Sequence, residues 1–259
     1  MRVSVVVPTY DEAENAAELI QRVDAAFIDV EAEILFIDDG SDDLPHVASA
    51  VGREVALPVR VLRRTHPSGG LSGAVVDGFR AARSRVCIVM DGDLQHPPET
   101  ARELWEQHLR DGAEVVVASR YIRGGTADGL SDVTRAVVSR LSTVLARMIF
   151  PGRLRGVTDP MTGFFLVDTA VVDLEGLRPR GFKILLEVLV RSPCRVAEVP
   201  LVFGRRRAGE SKASLLHGIH FACQLWRLRL GTMLAGPGPG AAGGGLIGHP
   251  TTRAKASTR

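Results

Sequence analysis

Over the first 120 positions, apolar residues fall in short runs that acids, glycine or proline cut off. Val3–Val7 is a β-branched run ended by Pro8. Ile34–Ile37 runs into Asp38-Asp39-Gly40-Ser41-Asp42, Val86–Met90 runs into Asp91-Gly92-Asp93, and Val59–Leu62 and Val115–Ser119 are two more such runs. Each predicts a strand. Between them the spacing turns helical. Glu12–Phe27 places Ala16, Leu19, Ile20, Val23 and Phe27 on one face, and Ser72–Arg83 and Pro98–Arg110 read as helices, the latter with proline in its first turn. The strand runs are continuous rather than alternating, which predicts burial on both faces, as in a parallel sheet covered by helices. Strands separated by helices of this length are βαβ units, and in such sheets the ligand lies beyond the C-terminal strand ends. Chain order therefore puts Pro8-Thr9-Tyr10-Asp11-Glu12, Asp38-Asp39, Asp91-Gly92-Asp93 and Ser119-Arg120 at one edge.

The second half is less regular. Asp132–Phe150 reads as a basic amphipathic helix with Arg135, Arg140 and Arg147. Gly163–Val167 and Val196–Phe203 are strand candidates, the second interrupted by Pro200. Phe182–Val190 is apolar around a single acid, Glu187, and Ser214–Leu230 again looks helical. Residues 231–259 are rich in Gly, Pro, Ala and Thr with few large apolar side chains, which predicts a disordered tail. The expected organisation is one α/β domain over 1–230, with a first half to 120 and a second half from 121, followed by that tail.

Composition narrows the field without choosing a function. The 259 residues are 45% hydrophobic and 24% charged, with a formal charge of +2; these are globular values and give no reason to expect a nucleic-acid partner. The longest uncharged apolar run is far short of the ~18–20 residues a membrane span needs, and Val3–Val7 is too short for a signal-peptide core. Cys87, Cys194 and Cys223 are widely spaced and unpatterned, so neither a disulfide framework nor a CxxC metal site is expected.

Asp91-Gly92-Asp93 carries the strongest local chemistry. Two carboxylates at i and i+2 on a strand end can turn toward a shared cation, and Mg²⁺ takes one or two carboxylates and fills its other sites with water and substrate phosphates. A solvated turn would also favour these residues. An acid in Asp38-Asp39 can hydrogen-bond a ribose or base edge, or simply cap a turn. The complementary cations are Arg120 at a strand end, Arg135 at helical spacing from Ser139, and Arg206 and Lys212 in a glycine-containing loop; guanidinium and ammonium groups suit phosphate oxygens. Gly69-Gly70-Leu71-Ser72-Gly73 is a loop leading into a helix rather than a clean phosphate motif. Zinc spacings, a hydrolase elbow and a P-loop are all missing from the sequence.

Seven blocks in order carry a further signal: VVVPTYDEAEN (5–15), LFIDDGSDD (35–43), VMDGDLQHPPE (89–99), ASRY (118–121), DPMTGFFLV (159–167), GFKILLEVLV (181–190) and VPLVFGRRRAGESK (199–212). In these blocks the chain resembles the family-2 glycosyltransferases of GT-A fold, and within them the polyprenol-phosphate (dolichol-phosphate) mannose synthases. The resemblance covers roughly residues 1–230. It implies a Rossmann-like, mostly parallel sheet flanked by helices, and a nucleoside held by Pro8, Tyr10, Glu12, Ile37 and Asp39. Asp91 and Gly92 would line the ribose and diphosphate, and Asp93, with Gln95 beside it, would ligate Mg²⁺ or Mn²⁺. Arg120, Arg206 and Lys212 would contact phosphates of donor and acceptor, while Arg135 and Ser139 match a helix that receives the lipid phosphate. Asp11 stands where relatives usually carry Asn, and Gly92 where many carry Ala. The implied reaction is hexosyl transfer, most simply mannose from GDP-mannose, to a polyprenyl or dolichyl monophosphate at the cytoplasmic face of a membrane. The chain would contact that membrane itself or through an anchoring partner. Three other readings stand beside it: UDP-glucose or another donor, a saccharide hydroxyl as acceptor with Asp159 as base, and an inactive nucleotide-sugar-binding relative.

Overall fold

The computed structural model describes residues 2–40, 43–126, 133–179, 183–204 and 228–229, with only the backbone of 133–139. Its elements run β1 (Val3–Thr9), α1 (Ala13–Ala26), β2 (Ala32–Asp38), α2 (Leu44–Val51), β3 (Val59–Arg63), α3 (Gly70–Ala81), β4 (Val86–Val89), α4 (Pro98–Asp111), β5 (Val115–Ser119), α5 (Val133–Ile149), β6 (Phe165–Asp168), α6 (Ile184–Arg191) and β7 (Val196–Pro200). A short 3₁₀ turn, Thr169–Val171, follows β6.

The strands form one seven-stranded sheet in the order β3-β2-β1-β4-β6-β5-β7. Every pairing is parallel except those of β6, which lies antiparallel between β4 and β5. The expected mostly parallel α/β sheet is present, and the orientation of β6 is what the sequence did not foretell. The continuous apolar runs have the predicted cause. Val3, Val5, Val7, Ile34, Phe36 and Ile88 belong to one core with residues of α1, α2 and α4. Their neighbours Val6, Leu35, Ile37, Cys87 and Val89 belong to a second core with residues of α3 and α6. Successive residues of a strand face opposite sides, so a strand between two helix layers must be apolar throughout.

Burial on both faces does not extend to β3. It is an edge strand whose residues are half-buried or exposed, including Leu62. The last strand candidate stops at Pro200, as a missing N–H predicts, and Val202 makes only an isolated parallel bridge with Thr126. Of the Phe182–Val190 run, Ile184–Val190 lies in α6 and Phe182 lies outside the described residues; a helix at Leu44–Val51 appears where none was predicted. The predicted helix at Ser214–Leu230 and the tail at 231–259 lie outside the described residues, apart from Leu228 and Arg229. Cys87 and Cys194 behave as small hydrophobes, their thiols pushed by burial up to about 12 and about 11.

One buried charge ties the sheet together opposite the acid-rich edge. Glu33 in β2 is fully buried and accepts from the Ser4 hydroxyl at 2.7 Å, the Arg83 amide at 2.7 Å and Arg60 Nη1 at 3.0 Å. Burial alone would raise its pKa. The three hydrogen bonds and the Arg60 charge win, holding it below the ordinary glutamate value of 4.5. A carboxylate with a depressed folded pKa adds stability above its unfolded pKa and loses it as pH falls through the folded one. Glu33→Gln should therefore destabilise the fold at neutral pH by about 2 kcal/mol. In urea unfolding, the gap from the parent chain should close as pH falls below 4.5.

Candidate functional site

Three strand ends converge on a cavity of about 340 Å³. Pro8, Thr9 and Tyr10 come from the end of β1, with Glu12 just before α1. Asp39 follows β2, and Asp91 and Asp93 follow β4. The opposite wall is the first turns of α3, through Gly70, Leu71 and Ala74. The β1 turn is tight: Asp11 adopts φ 54°, a conformation that Asp and Asn tolerate better than most residues. The Asp-for-Asn departure is thus conservative in backbone terms. Tyr10 stands at the rim, 62% exposed.

Asp39 is held by a clamp that sequence reasoning missed. Both of its carboxylate oxygens are engaged by Arg64, through Nε and Nη2. The same guanidinium reaches Asp77 in α3 at 3.0 Å, the Ser68 carbonyl at 3.0 Å and the Gly70 carbonyl at 3.3 Å. Arg64 thereby joins the end of β2 to the loop that enters α3. Close packing is required there, because a Cβ on Gly73 would lie 1.9 Å from the Ser68 carbonyl oxygen. Of the glycine run expected to be a loop, only Gly69 lies ahead of α3; Gly70–Gly73 form its first turn, and Gly70 and Leu71 line the cavity. Arg64 follows a strand at the same edge as the acids, so the reasoning that singled out Asp39 could have singled out Arg64.

Ile37 does not take the position expected of it. Its side chain is fully buried in the core against Gly78 of α3, so it cannot wall a nucleoside. Leu71 and Ala74 supply the apolar wall instead.

The Asp91–Gln95 turn is strained and tied down. Leu94 is nearly buried at φ 60°, a conformation that costs a branched side chain roughly 1–3 kcal/mol. Asp93 is nearly buried and accepts the Gln95 amide at 3.0 Å. Gln95 accepts the Gly204 amide on its own carbonyl at 2.9 Å and donates its side-chain Nε2 to the Gly204 carbonyl at 3.1 Å. The Asp91 amide donates to Nδ1 of His96, whose buried ring stacks on Phe164 at 4.8 Å between centroids. A Cβ on Gly92 would lie 2.6 Å from Glu12 Oε2, the mobile end of a side chain. Among the described residues no three His, Cys, Asp or Glu side chains gather around one point. Two carboxylates beside an open cavity nonetheless fit a hard cation that completes its shell with phosphate and water.

The cations lie outside the cavity lining, at the end of β5 and ahead of α6. Arg120 and Asp159, both buried, form a bidentate pair, Nε–Oδ2 at 2.7 Å and Nη2–Oδ1 at 2.9 Å. The Arg120 guanidinium also lies over the Tyr121 and Phe203 rings, at 5.4 and 5.8 Å. Arg140 of α5 approaches the Tyr121 ring at 5.9 Å. Lys183, just before α6, donates to the Met161 carbonyl at 2.9 Å. Burial and the Arg120 charge lower its pKa to about 8, against the pull of Asp159 and Asp91. Lys183 lies within a block already singled out, but its position ahead of an apolar helix gave no sign of its neighbours. Glu187 is a buried anchor rather than a cavity residue, accepting the Arg178 amide and Arg191 Nε at 2.8 Å each. Arg206, Lys212 and the side chains of Arg135 and Ser139 lie outside the described residues.

Comparison with known proteins agrees with this architecture. The family model "Glycosyl transferase family 2" matches residues 4–173. A dolichol-phosphate mannosyltransferase of Pyrococcus furiosus is 41% identical over 82% of this chain, and the alignment spans 59% of that longer relative. The Saccharomyces cerevisiae dolichol-phosphate mannosyltransferase is 38% identical over 82% of this chain and 80% of its own. In fold, the chain matches glucosyl-3-phosphoglycerate synthase from Mycobacterium tuberculosis, solved with Mn²⁺, UDP and phosphoglyceric acid. The TM-score is 0.64 at 20% identity, covering 89% of this chain and 78% of that one. With its acid-bearing strand ends around one cavity and this degree of likeness, the chain belongs to glycosyl transferase family 2.

Proposed function

We propose that the chain transfers mannose from GDP-mannose to a polyprenyl or dolichyl monophosphate, with inversion at the anomeric carbon. The names of its relatives support the sugar and acceptor. The observation that carries the reading is the set of carboxylates on the β2 and β4 ends that line the cavity, Asp39, Asp91 and Asp93; beyond that lining, Lys183 ahead of α6 feels the charges of both Asp91 and Arg120. Residues 1–230 would be the catalytic domain.

Asp39 and the Leu71–Ala74 wall would take the nucleoside. Asp91 and Asp93, with Gln95 beside them, would hold a divalent ion, Mg²⁺ or Mn²⁺, which when bound neutralises charge on a departing diphosphate. A phosphate monoester is already anionic near neutral pH, so the acceptor oxygen needs no general base. It attacks opposite the diphosphate while the sugar carries oxocarbenium-like charge. Arg120, Arg135, Ser139, Arg206, Lys212 and Lys183 would bring two mutually repelling phosphates to that geometry. A saccharide-hydroxyl acceptor needs a carboxylate base, and Asp159 is poorly suited to that role because it is fully buried against Arg120.

Membrane contact is part of the same reading. Among the described residues no helix is long and apolar enough to cross a membrane. α5 does expose Leu141, Val144 and Met148, at 65%, 51% and 66%, on one side near Arg140 and Arg147. A basic amphipathic helix of this kind can lie in a lipid interface, which on this reading is the cytoplasmic face.

Three measurements test these assignments. Radiolabelled GDP-mannose should label polyprenyl phosphate in a reaction that a chelator stops, and Asp93→Ala should lower turnover roughly 10²–10³-fold with the fold intact. Labelling of soluble oligosaccharide alone would refute the acceptor. Arg64→Lys, which cannot reproduce the fork, should raise donor KM about 10-fold and leave acceptor KM unchanged. Leu141→Asp with Met148→Asp should reduce co-sedimentation with anionic vesicles while leaving thermal stability unchanged; undiminished binding would move the lipid contact elsewhere.

A further inference from the structure

Arg120 and Lys183 are both tied to residues 158–163, through Asp159 and the Met161 carbonyl, and the fastening of that segment is a carboxylate on β7. Glu198 lies in the middle of β7. Its Oε1 accepts the amides of Thr158 at 2.8 Å and Asp159 at 3.4 Å, and its Oε2 accepts the Thr158 hydroxyl at 2.9 Å. Thr158 Oγ1 also meets Ser119 Oγ at 2.5 Å, and that oxygen accepts the Tyr121 amide at 3.2 Å. The Asp159 carboxylate then takes the amide, Nε and Nη2 of Arg120. Two residues further on, Met161 provides the carbonyl that accepts from Lys183.

This network has an electrostatic cost. Burial and the nearby Asp159 charge push the Glu198 pKa up, against the three hydrogen bonds that favour its ionised form. A half-buried carboxylate next to a fully buried one is an expensive way to fill a strand position unless its acceptor geometry is needed.

We propose that Glu198 is a positioning residue for the acceptor phosphate. By gripping the Thr158 and Asp159 amides it sets the Asp159 carboxylate, and through it the Arg120 guanidinium, which Glu198 itself does not touch. The inference rests on the proposed phosphate contact of Arg120 and narrows it to the phosphate of the acceptor. It carries an asymmetry that simple loss of structure would not. Asp39, Asp91 and Asp93 stand on the β2 and β4 ends, with the Arg64 clamp and Gly204 contacts of their own. Loosening the Thr158–Asp159 turn should therefore harm the acceptor and spare the donor.

The test is steady-state kinetics on the full chain, varying GDP-mannose and a polyprenyl monophosphate independently. Glu198→Ala should raise acceptor KM roughly 10-fold and keep donor KM within about 2-fold. Glu198→Gln retains an oxygen for both amides and should stay within about 3-fold of the parent acceptor KM. In an Arg120→Ala background, adding Glu198→Ala should leave acceptor KM where it was, because the two substitutions act through one group. Thr158→Val, which removes only the hydroxyl link, covers the case in which Glu198→Ala fails to fold; a selective rise in acceptor KM is expected from it as well. Equal rises in both KM values, no rise in a folded variant, or additive effects with Arg120→Ala would overturn the inference. If Arg120→Ala itself leaves acceptor KM unchanged, the assignment of Arg120 falls and this inference falls with it. If only the Glu198 and Thr158 variants are silent, the assignment stands and the positioning role alone is lost.

Discussion

A carboxylate taken out of water is costly unless a cation and hydrogen bonds replace the water it loses. The acid-rich edge of this sheet meets that condition with arginines that arrive from elsewhere in the chain. Asp39 is forked by Arg64, fully buried Asp38 faces Arg63 at 3.1 Å, and Asp159 is forked by Arg120. The first two arginines come from the end of β3, the edge strand, and the third from the end of β5. The sheet topology is what makes the pairing possible, because parallel strands deliver their C-terminal residues to one edge. Glu33 obeys the same rule with Arg60 on β2 and β3.

Pairing also limits what these residues can do. An arginine already forked to a buried carboxylate adds little net charge to the cavity. What it offers is a planar set of donors fixed in direction. Arg120 is best understood in this way, as a guanidinium whose orientation Asp159 decides and whose face the Tyr121 and Phe203 rings support. Lys183, next to this pair, has its pKa brought down to about 8 by burial and by Arg120 itself, against the pull of Asp159 and Asp91. An ammonium in that condition gains when an anion arrives, since the anion restores its preference for the charged form.

The sequence made the strand ends legible because continuous apolar runs, stopped by acids, report both the sheet and its edge. Asp39, Asp91 and Asp93 were found in that way, and all three line the cavity. Ile37 was assigned to the nucleoside through family likeness, but strand alternation places it in the core beside Gly78. Arg64 stood at a legible strand edge, but its partner, like those of Lys183 and Glu198, did not show. Each acts on a partner 22 to 40 residues away, and no local pattern of apolar and polar positions encodes such a pairing. The antiparallel insertion of β6 is hidden for the same reason: a four-residue apolar run reads alike in either direction.

The cavity acids and the Arg120–Asp159 pair differ in how they are held. The acids sit at the ends of β2 and β4, whose side chains fill cores on both faces, so their backbone can move little without disturbing close packing. Arg120 and Asp159 lie outside the strands, in and beside a segment that Val157 and Met161 pin to the core. The direction of the Asp159 carboxylate is set by a polar network, which is where Thr158, Ser119 and Glu198 enter. The strain at Leu94 belongs to the same economy. It turns the chain so that Asp93 and Gln95 follow directly from a buried strand, and the hydrogen bonds to Gly204 keep the turn from relaxing. Gly204 is the last described residue before the basic segment that carries Arg206 and Lys212. The strained turn that presents the acids therefore also anchors the chain leading into that segment.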